Sequence, residues 1–160
     1  MGWWYGTGGN YLSDEAAGMD EEEPKEALIP RMFRTMWPDG THPRVGADRD
    51  MLGARVPNDV KLVAADRVTP GKGMSVFCNV HEMPPFLIPK DYLHRFPEAG
   101  GKRGIKIWRL GEGAFANSAV TDDLALRTGS KHGALEPTRE MPLASYQAAL
   151  AATRDGWVIL

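Results

Sequence analysis

Three separated stretches of the sequence carry the residues best suited to chemistry. Arg34 lies in a short apolar stretch, Ser75 in a stretch led by glycines, and His132 at the start of a polar stretch near the end. A guanidinium presents a planar fork of donors to phosphate oxygens, a hydroxyl both donates and accepts hydrogen bonds, and an imidazole titrates near neutral pH. Each residue also has an ordinary structural role, in a salt bridge or a backbone hydrogen bond. They are candidates for a site only if the fold brings them together.

A zinc site is the first alternative to weigh. Cys78, His81 and Glu82 lie close together, His94 follows, and all four are residue types that bind zinc. The sequence lacks a second Cys-x-x-Cys or a His-x-x-x-His pair that would supply a well-placed fourth donor. We therefore predict no bound metal.

Two further catalytic motifs are incomplete. A hydrolase nucleophile elbow has the pattern Gly-x-Ser-x-Gly, but Phe77 stands where the second glycine would follow Ser75. A phosphate-binding loop ends in Gly-Lys-Ser or Gly-Lys-Thr and opens a helix, whereas Gly71-Lys72-Gly73 leads into a predicted strand. These glycines instead allow the backbone to approach another group closely.

A sheet is predicted to position these side chains. Runs of β-branched, aromatic and alternating residues predict strands over residues 32–37, 74–78, 105–110, 132–136 and 157–160. The last strand is expected to be buried because all four of its residues are apolar. Prolines beside residues 86–88 predict a short edge strand, residues 91–96 suit one helical turn, and residues 111–131 suit a loop-rich excursion.

One helix is predicted near the end of the chain. Pro142 suits a first helical position, Leu143, Tyr146 and Leu150 share one face, and Asp155-Gly156 ends the helix. The fold class predicted is α+β: a single domain with a mixed, mainly antiparallel sheet and few helices.

Composition limits the function classes. The 160 residues suit one domain, and a formal net charge of -2 gives no indication of nucleic-acid binding. The single cysteine excludes an internal disulfide and suits a reducing compartment. The apolar runs are far shorter than the roughly 18 residues of a membrane-spanning helix, and we expect neither a membrane association nor a signal peptide.

The first 26 residues differ in composition from the rest. They contain Trp3, Trp4 and Tyr5 among glycines, followed by the acidic run Asp20-Glu21-Glu22-Glu23. No strand or helix period is present. We predict a flexible or loosely docked N-terminal arm over residues 1–26, before a folded domain over residues 27–160.

The three stretches together resemble the arrangement of ADP-ribosyltransferases, and the sequence is most similar to the ADP-ribosyltransferase-like toxin effectors of bacterial type VI secretion, which have fungal relatives. The resemblance covers about residues 30–157. The matching segments are Met32-Phe33-Arg34-Thr35, then Gly73-Met74-Ser75-Val76-Phe77 (Gly-Thr-Ser-Val-Phe in the family) with Phe86-Leu87-Ile88-Pro89, and finally His132-Gly133-Ala134-Leu135-Glu136-Pro137 with Met141.

The resemblance implies that NAD is the substrate and that a cleft holds it. Cleavage of NAD passes through an oxocarbenium-like state, so its site needs cations for the pyrophosphate and polar groups for the ribose. Arg34, Gly73, Ser75 and Phe77 are then expected to bind NAD, and Ser75 and His132 to be catalytic. Phe77, with Tyr92 and Trp108, is a candidate for a stacking wall, although aromatic residues at strand spacing usually belong to the core.

One position departs from the family pattern, and the catalytic glutamate is not assigned by it. Met74 replaces a threonine and so removes a hydroxyl that would be able to touch the ligand. Glu136 and Glu140 are both candidates for a catalytic glutamate, and the matching family position does not assign the role to either.

The leading hypothesis is a cytotoxic effector domain that transfers ADP-ribose from NAD to a macromolecule or hydrolyses NAD. The first alternative is a catalytically degenerate domain of the same fold that binds a partner protein, and the second is a toxin that acts on nucleic acid. A toxin of this family implies a cognate immunity protein and an unknown macromolecular target. It is expected in the cytoplasm of its producer and, when delivered, in that of the target cell.

Overall fold

A curled antiparallel sheet of seven strands organises the domain. The computed structural model describes residues 28–160, so the predicted arm over residues 1–26 lies outside the described residues. These residues form a single α+β domain with one α-helix, as the sequence predicts. The prediction of a mainly antiparallel sheet is confirmed, since every pair of named strands is antiparallel.

The elements follow in chain order. The strands are β1 (Met32–Met36), β2 (Pro38–Asp39), β3 (His42–Pro43), β4 (Arg67–Val68), β5 (Met74–Phe77), β6 (Lys106–Leu110), β7 (Ser118–Ala119), β8 (Leu124–Thr128), β9 (His132–Pro137), β10 (Met141–Pro142) and β11 (Trp157–Ile159). The helix α1 is Leu143–Ala151, and 3-10 helices cover Val80–Glu82, Pro85–Leu87, Lys90–Tyr92 and Arg154–Gly156. The main sheet has the order β11-β6-β1-β5-β9-β8-β7, while β10 pairs with β4 and β2 with β3.

Side chains alternate between the two faces of this sheet. One face carries Met32, Met74 and Leu135, which pack against Tyr146 and Leu150 of α1. The opposite face carries a smaller apolar cluster that includes Phe33, Ile107, Tyr92 and Ile88. Because successive residues of a strand point to opposite faces, β5 buries Met74 and Val76 and leaves Ser75 and Phe77 only partly covered.

Most of the predicted elements are present. The first strand ends at Met36, one residue earlier than predicted, and the others begin and end within one residue of the predicted bounds. The helix begins directly after Pro142, whose fixed φ of −61° is compatible with a helix start. The turn predicted over residues 91–96 begins as the 3-10 helix Lys90–Tyr92.

Four local predictions are wrong. The helix ends at Ala151 rather than at Asp155-Gly156, and that pair lies in the 3-10 helix Arg154–Gly156 that follows. Residues 86–88 form part of a 3-10 turn rather than an edge strand, because the Leu87 N–H donates to the carbonyl of Pro84. The segment 111–131 is not only loop, since Leu124 and Leu126 are buried and define β8. The last strand is present but only Trp157 is buried in it, because β11 lies at the edge of the sheet and exposes Val158 and Ile159.

Candidate functional site

Ser75 lies between two neighbouring cavities. The first has a volume of about 350 Å³, and its lining includes Ser75, Asp59, Arg127, His132 and Glu136. The second has about 270 Å³ and shares Ser75; its lining also includes Arg34, Arg49, Asp50, Arg55, Phe77 and Phe86. The two cavities together are called the cleft below, the first being the Glu136 cavity and the second the arginine cavity. Volumes near 300 Å³ are at the lower end of the range for small-molecule sites.

Arg34 connects β1 to two other parts of the chain. Its Nη1 donates to the carbonyl oxygen of Ser75 at 2.7 Å, and its Nε and Nη2 donate to the carbonyl oxygen of Met51 at 3.3 and 3.0 Å. The strands β1 and β5 have one backbone pair, between Phe33 and Phe77. Beyond this pair, the guanidinium of Arg34 joins the two strands through the carbonyl oxygen of Ser75. Arg34 is therefore on an inner strand, not on an edge strand.

The charge on Arg34 is not neutralised by a direct ion pair with any described residue. Burial lowers the pKa of Arg34 to about 10, although the negative charges of Asp59 and Asp50 oppose that change. A pKa of about 10 still leaves the guanidinium cationic at neutral pH. Its bonds go to carbonyl oxygens, and it contributes a positive charge to the wall of the arginine cavity.

The arginine cavity has an excess of positive charge. Three guanidinium groups line it, from Arg34, Arg49 and Arg55, together with the carboxylate of Asp50, whose Oδ2 lies 4.0 Å from Nε of Arg49. Arg34 is the one of the three without an ion pair among the described residues. Arg55 binds Asp59 through Nε and Nη2, both at 3.3 Å, and Asp59 belongs to the Glu136 cavity. This excess suits an anionic group such as a phosphate, which guanidinium groups bind through paired hydrogen bonds.

Glu136 lies at the base of the other cavity and is 4% exposed. Its Oε2 accepts a hydrogen bond from Nε of Arg127 on the neighbouring strand at 2.6 Å. Its Oε1 accepts from the N–H of Gly71 at 3.1 Å. Each carboxylate oxygen can accept more than one hydrogen bond, so this held carboxylate is still able to bind a hydroxyl of a ligand.

The strands β5 and β9 bring Ser75 and Glu136 to one face. Ser75 pairs with Ala134 and Phe77 pairs with His132. Residues two apart on a strand share a face, so His132, Ala134 and Glu136 face the same side as Ser75. The predicted residues Ser75 and His132 therefore line one cavity, and Arg34 reaches it only through the neighbouring cavity and the carbonyl of Ser75.

His132 stands at the exposed rim of the Glu136 cavity rather than at its base. Its ring lies 6.1 Å from the ring of Phe77, measured between centroids, with the planes tilted by 45°. Phe77 is half-buried and lines the arginine cavity, where it also packs against the smaller core cluster. Both residues are thus accessible to a ligand in the cleft.

Gly73 is required by packing within the sheet as well as by its place in the cavity wall. A Cβ atom at this position would lie 2.0 Å from the carbonyl oxygen of Leu135 on β9. The sequence predicts that a glycine here lets the backbone approach another group closely, and in the structure that group is the backbone of the neighbouring strand β9. Gly71, by contrast, has a φ of +113°, and a Cβ added to it would meet no atom within 4 Å, so its role is the turn that presents its N–H to Glu136.

Met74 does not face the cleft. Its side chain is fully buried in the core on the opposite face of β5. Its N–H donates to the hydroxyl oxygen of Tyr146 at 3.0 Å, and that hydroxyl donates in turn to the carbonyl of Leu135. The absence of a threonine hydroxyl at position 74 therefore removes no contact in the cleft.

Several other candidates lie outside the cleft. Glu140 pairs with Arg67 at 2.6 Å and is not among the residues that line either cavity. Tyr92 belongs to the smaller core cluster, and Trp108 is fully buried with its Nε1 donating to the carbonyl of Met36. Tyr92 and Trp108 therefore belong to the core, as aromatic residues at strand spacing usually do, and only Phe77 of the three lines the cleft.

The sequence interpretation missed Arg55, Asp59 and Arg127. Arg55 and Asp59 are separated by four residues and form a local clamp, with the N–H of Arg55 donating to Asp59 at 2.7 Å. That spacing was a visible signal for the pair but not for its position beside the cleft. Arg127 lay in the segment interpreted as a loop, and recognition of β8 would have placed it beside Glu136.

Comparisons with known proteins found no match to this chain. No protein-family model matches the chain, and no curated protein or solved structure matches it either. Within residues 28–160, no three His, Cys, Asp or Glu side chains are grouped so that they would hold a metal ion. No helix of that part of the chain is long and apolar enough to cross a lipid bilayer.

Proposed function

We propose that this domain is an ADP-ribosyltransferase-like toxin that binds NAD in the cleft and breaks its bond between nicotinamide and ribose. ADP-ribose then passes to a macromolecular acceptor or to water. The observation that carries the proposal is the position of Ser75, which separates a cavity lined by three arginines from one that contains a buried, held glutamate. This order of cation, hydroxyl and carboxylate matches what NAD cleavage needs.

The pyrophosphate of NAD is assigned to the arginine cavity. Two adjacent phosphates carry two negative charges, and the lining of this cavity has three arginines and one aspartate. Arg34 is held by carbonyl oxygens and keeps its charge, so it presents a preorganised cation. Phe77 and Phe86 supply apolar surface beside these cations, which suits a planar ring.

The ribose that bears nicotinamide is assigned to the Glu136 cavity. When the bond from C1′ to the nicotinamide nitrogen breaks, its electron pair leaves with nicotinamide and positive charge develops on the ribose. The carboxylate of Glu136 stabilises that charge and accepts a hydrogen bond from a ribose hydroxyl. An acceptor group or water then bonds to C1′ and releases its proton, which keeps atoms and charge in balance.

Ser75 and His132 have positioning and proton-transfer roles in this proposal. The hydroxyl of Ser75 lies where it can bond to a ribose hydroxyl from either cavity. His132, at the exposed rim, is placed to accept the proton of the attacking acceptor. The burial of Met74 removes one of the two sequence arguments for a degenerate, non-catalytic domain, since that side chain does not line the cleft. The other argument, the unassigned catalytic glutamate, is addressed by the Glu136 variant below.

The test measures NAD binding by calorimetry and nicotinamide release by chromatography. Glu136→Gln keeps the shape of the side chain and is expected to lower the release rate by roughly 10²-fold or more while NAD still binds. Ser75→Ala and Arg34→Lys are expected to weaken binding. Glu140→Gln, outside the cleft, is the matched control and should behave as wild type.

Toxicity is tested in the same series. Cells that express the wild-type chain are expected to stop growing, and cells that express Glu136→Gln to grow, unless a cognate immunity protein is present. A wild-type protein that neither binds nor cleaves NAD, together with unaffected growth, would contradict the proposal. Degradation of RNA that does not depend on NAD would support the nucleic-acid alternative instead.

A further inference from the structure

The segment of residues 53–66 is firmly anchored to the body of the domain. The N–H of Ala54 donates to Oε1 of Gln147 on α1 at 2.9 Å, and Nε2 of Gln147 donates back to the Ala54 carbonyl at 2.7 Å. Val60 is 1% exposed and belongs to the main core. The clamp between Arg55 and Asp59 adds two further side-chain hydrogen bonds. The inward side of this segment is thus fixed at several points.

The outward side of the same segment exposes apolar side chains. Val56, Leu62 and Val63 are 42%, 43% and 54% exposed. Their backbone is not frayed, since the N–H of Val63 donates to the carbonyl of Arg67 at 2.9 Å. A fixed loop that presents several apolar side chains to solvent is a surface on which a partner can bind with little loss of conformational entropy.

A third cavity adjoins both this surface and the cleft. Its volume is about 330 Å³, and it is lined by Lys61, Val63, Thr69, Pro70, Gly71 and Lys72. It shares Gly71 and Lys72 with the Glu136 cavity, so the two cavities are adjacent. Gly71 is also the residue whose N–H binds Glu136. Gly71 therefore lies between the third cavity, which it lines, and the proposed catalytic carboxylate, which it binds.

The third cavity is positively charged. Lys61 and Lys72 line it, and no carboxylate is among the residues of its lining. Neither lysine forms an ion pair with any residue of the 28–160 range. Both ammonium groups are on exposed residues and are available to an acidic partner. Charge complementarity of this kind sets the orientation of a partner more than its total affinity.

We propose that the surface formed by Val56, Lys61, Leu62, Val63 and Lys72 is the acceptor-docking surface, and that the acceptor is a protein whose docking segment combines an apolar side chain with neighbouring carboxylates. The inference rests on the proposed function. The apolar side chain enters beside Val63, and the carboxylates lie against the two lysines. This arrangement places the acceptor at the Glu136 end of the cleft, where C1′ of the ribose becomes reactive.

A protein acceptor fits this surface better than a nucleic acid does. Nucleic-acid surfaces rely on many cations with few apolar contacts outside stacked aromatic rings. Here three aliphatic side chains accompany two lysines, and no aromatic residue lines the third cavity. Apolar contacts at the centre with charges around them are typical of protein interfaces.

The experiment separates NAD cleavage from transfer. Biotin-labelled NAD is incubated with a nuclease-treated soluble bacterial extract and wild type, Lys61→Glu or Val63→Asp, neither of which alters a residue of the cleft. Nicotinamide release without extract reports cleavage, and biotin on protein reports transfer. Lys102→Glu and Val158→Asp are the matched controls, because both residues are exposed and lie elsewhere on the domain. Thermal melts check that every variant folds.

We expect Lys61→Glu and Val63→Asp to lower protein labelling by roughly tenfold, as loss of an interface hot spot does, with nicotinamide release within about twofold of wild type. Labelling at the wild-type level in both variants, labelling that occurs in an untreated extract but not in the nuclease-treated one, or equal losses in the two control variants would each overturn the docking surface. A wild-type protein that releases nicotinamide but labels no protein would overturn it as well. Absence of nicotinamide release from wild type would instead refute the proposed function, and the inference would fall with it.

Discussion

Arg127 on β8 holds the buried carboxylate of Glu136 on β9, with 2.6 Å between Nε and Oε2. The arginine side chain is 61% exposed, whereas that of the glutamate is 5% exposed. The hydrogen bond to Glu136 and the charge of that carboxylate raise the pKa of Arg127. One strand thus supplies the carboxylate of the cleft, and its neighbour supplies the group that orients it.

Arg127→Ala is expected to lower kcat for nicotinamide release by roughly tenfold to a hundredfold and to leave KM for NAD little changed. The reason is that Glu136 loses the guanidinium that orients its carboxyl group. Arg127→Lys restores the charge without the planar fork and should recover part of the loss. Steady-state kinetics of both variants give the measurement.

Arg139→Ala is the matched control for Arg127. The Arg139 side chain is also 61% exposed and pairs with Asp123 at 2.8 Å, and it lines neither cavity of the cleft. An equal loss of kcat in Arg139→Ala, or a loss in Arg127→Ala that appears only in KM, would show that Arg127 does not act through Glu136.

Tyr146→Phe is expected to destabilise the domain by about 1–3 kcal/mol, because the buried N–H of Met74 loses its acceptor and the carbonyl of Leu135 loses its donor. Urea unfolding measures the change in free energy. Ser145→Ala, an exposed change on the same helix, should alter stability by less than about 0.5 kcal/mol. A stability of Tyr146→Phe equal to wild type would mean that the hydroxyl does not join β5 to β9.

Gly73→Ala is expected to cost about 1–3 kcal/mol, because the added Cβ would lie 2.0 Å from the Leu135 carbonyl oxygen and would force β5 and β9 apart. Gly100→Ala is the control without the clash, since its added Cβ would lie 3.8 Å from the nearest atom, the carbonyl oxygen of Pro85. That control should be neutral or slightly stabilising. Thermal melting curves of the two variants give the measurement. Equal melting temperatures of Gly73→Ala and Gly100→Ala would refute the packing role of Gly73.

Asp91 should make stability depend on pH in the acidic range. The N–H of Gly104, and then the charges of Lys106 and Arg103, lower the pKa of Asp91. A carboxyl whose pKa is lower in the folded state stabilises the fold above its unfolded pKa, and this contribution is lost as the pH falls through the folded pKa. Asp91→Asn should therefore be less stable than wild type at pH 7, and the difference should close below about pH 4.

The measurement for Asp91 is urea unfolding of both proteins between pH 3 and pH 7. Asp48→Asn is the control, since Asp48 is exposed and pairs with no residue of the described part of the chain. A difference in the free energy of unfolding between wild type and Asp91→Asn that stays constant with pH would show that the charge of Asp91 does not cause the difference in stability.

Local pattern predicted most of the elements, for identifiable reasons. Met74 and Val76 alternate with Ser75 and Phe77, and this period of two determines which residues of β5 face the core. The signal failed where local and tertiary influences compete. Phe86 is apolar but lies in a 3-10 turn started by Pro85, whose fixed φ favours such a turn.

Burial was the less predictable property. Val158 and Ile159 are as apolar as any core residue, yet they are exposed because no described strand lies beyond β11. A strand's position within the sheet depends on which strands pair, and this is decided by contacts between distant parts of the chain. Periodicity within a segment does not contain that information.

The sequence by itself determined the chemistry that is present in the cleft: a serine on a glycine-led strand, an arginine on the first strand and a histidine that opens a later one. Only the tertiary structure decided between Glu136 and Glu140, which are four residues apart. Glu136 lies on β9 beside Arg127 and faces the cavity, whereas Glu140 lies beyond the end of that strand and pairs with Arg67. The physical reason is that a carboxylate's role depends on its burial and its partners. Here the partner of Glu136 is Arg127 on β8 and that of Glu140 is Arg67 on β4, and local sequence does not predict either contact.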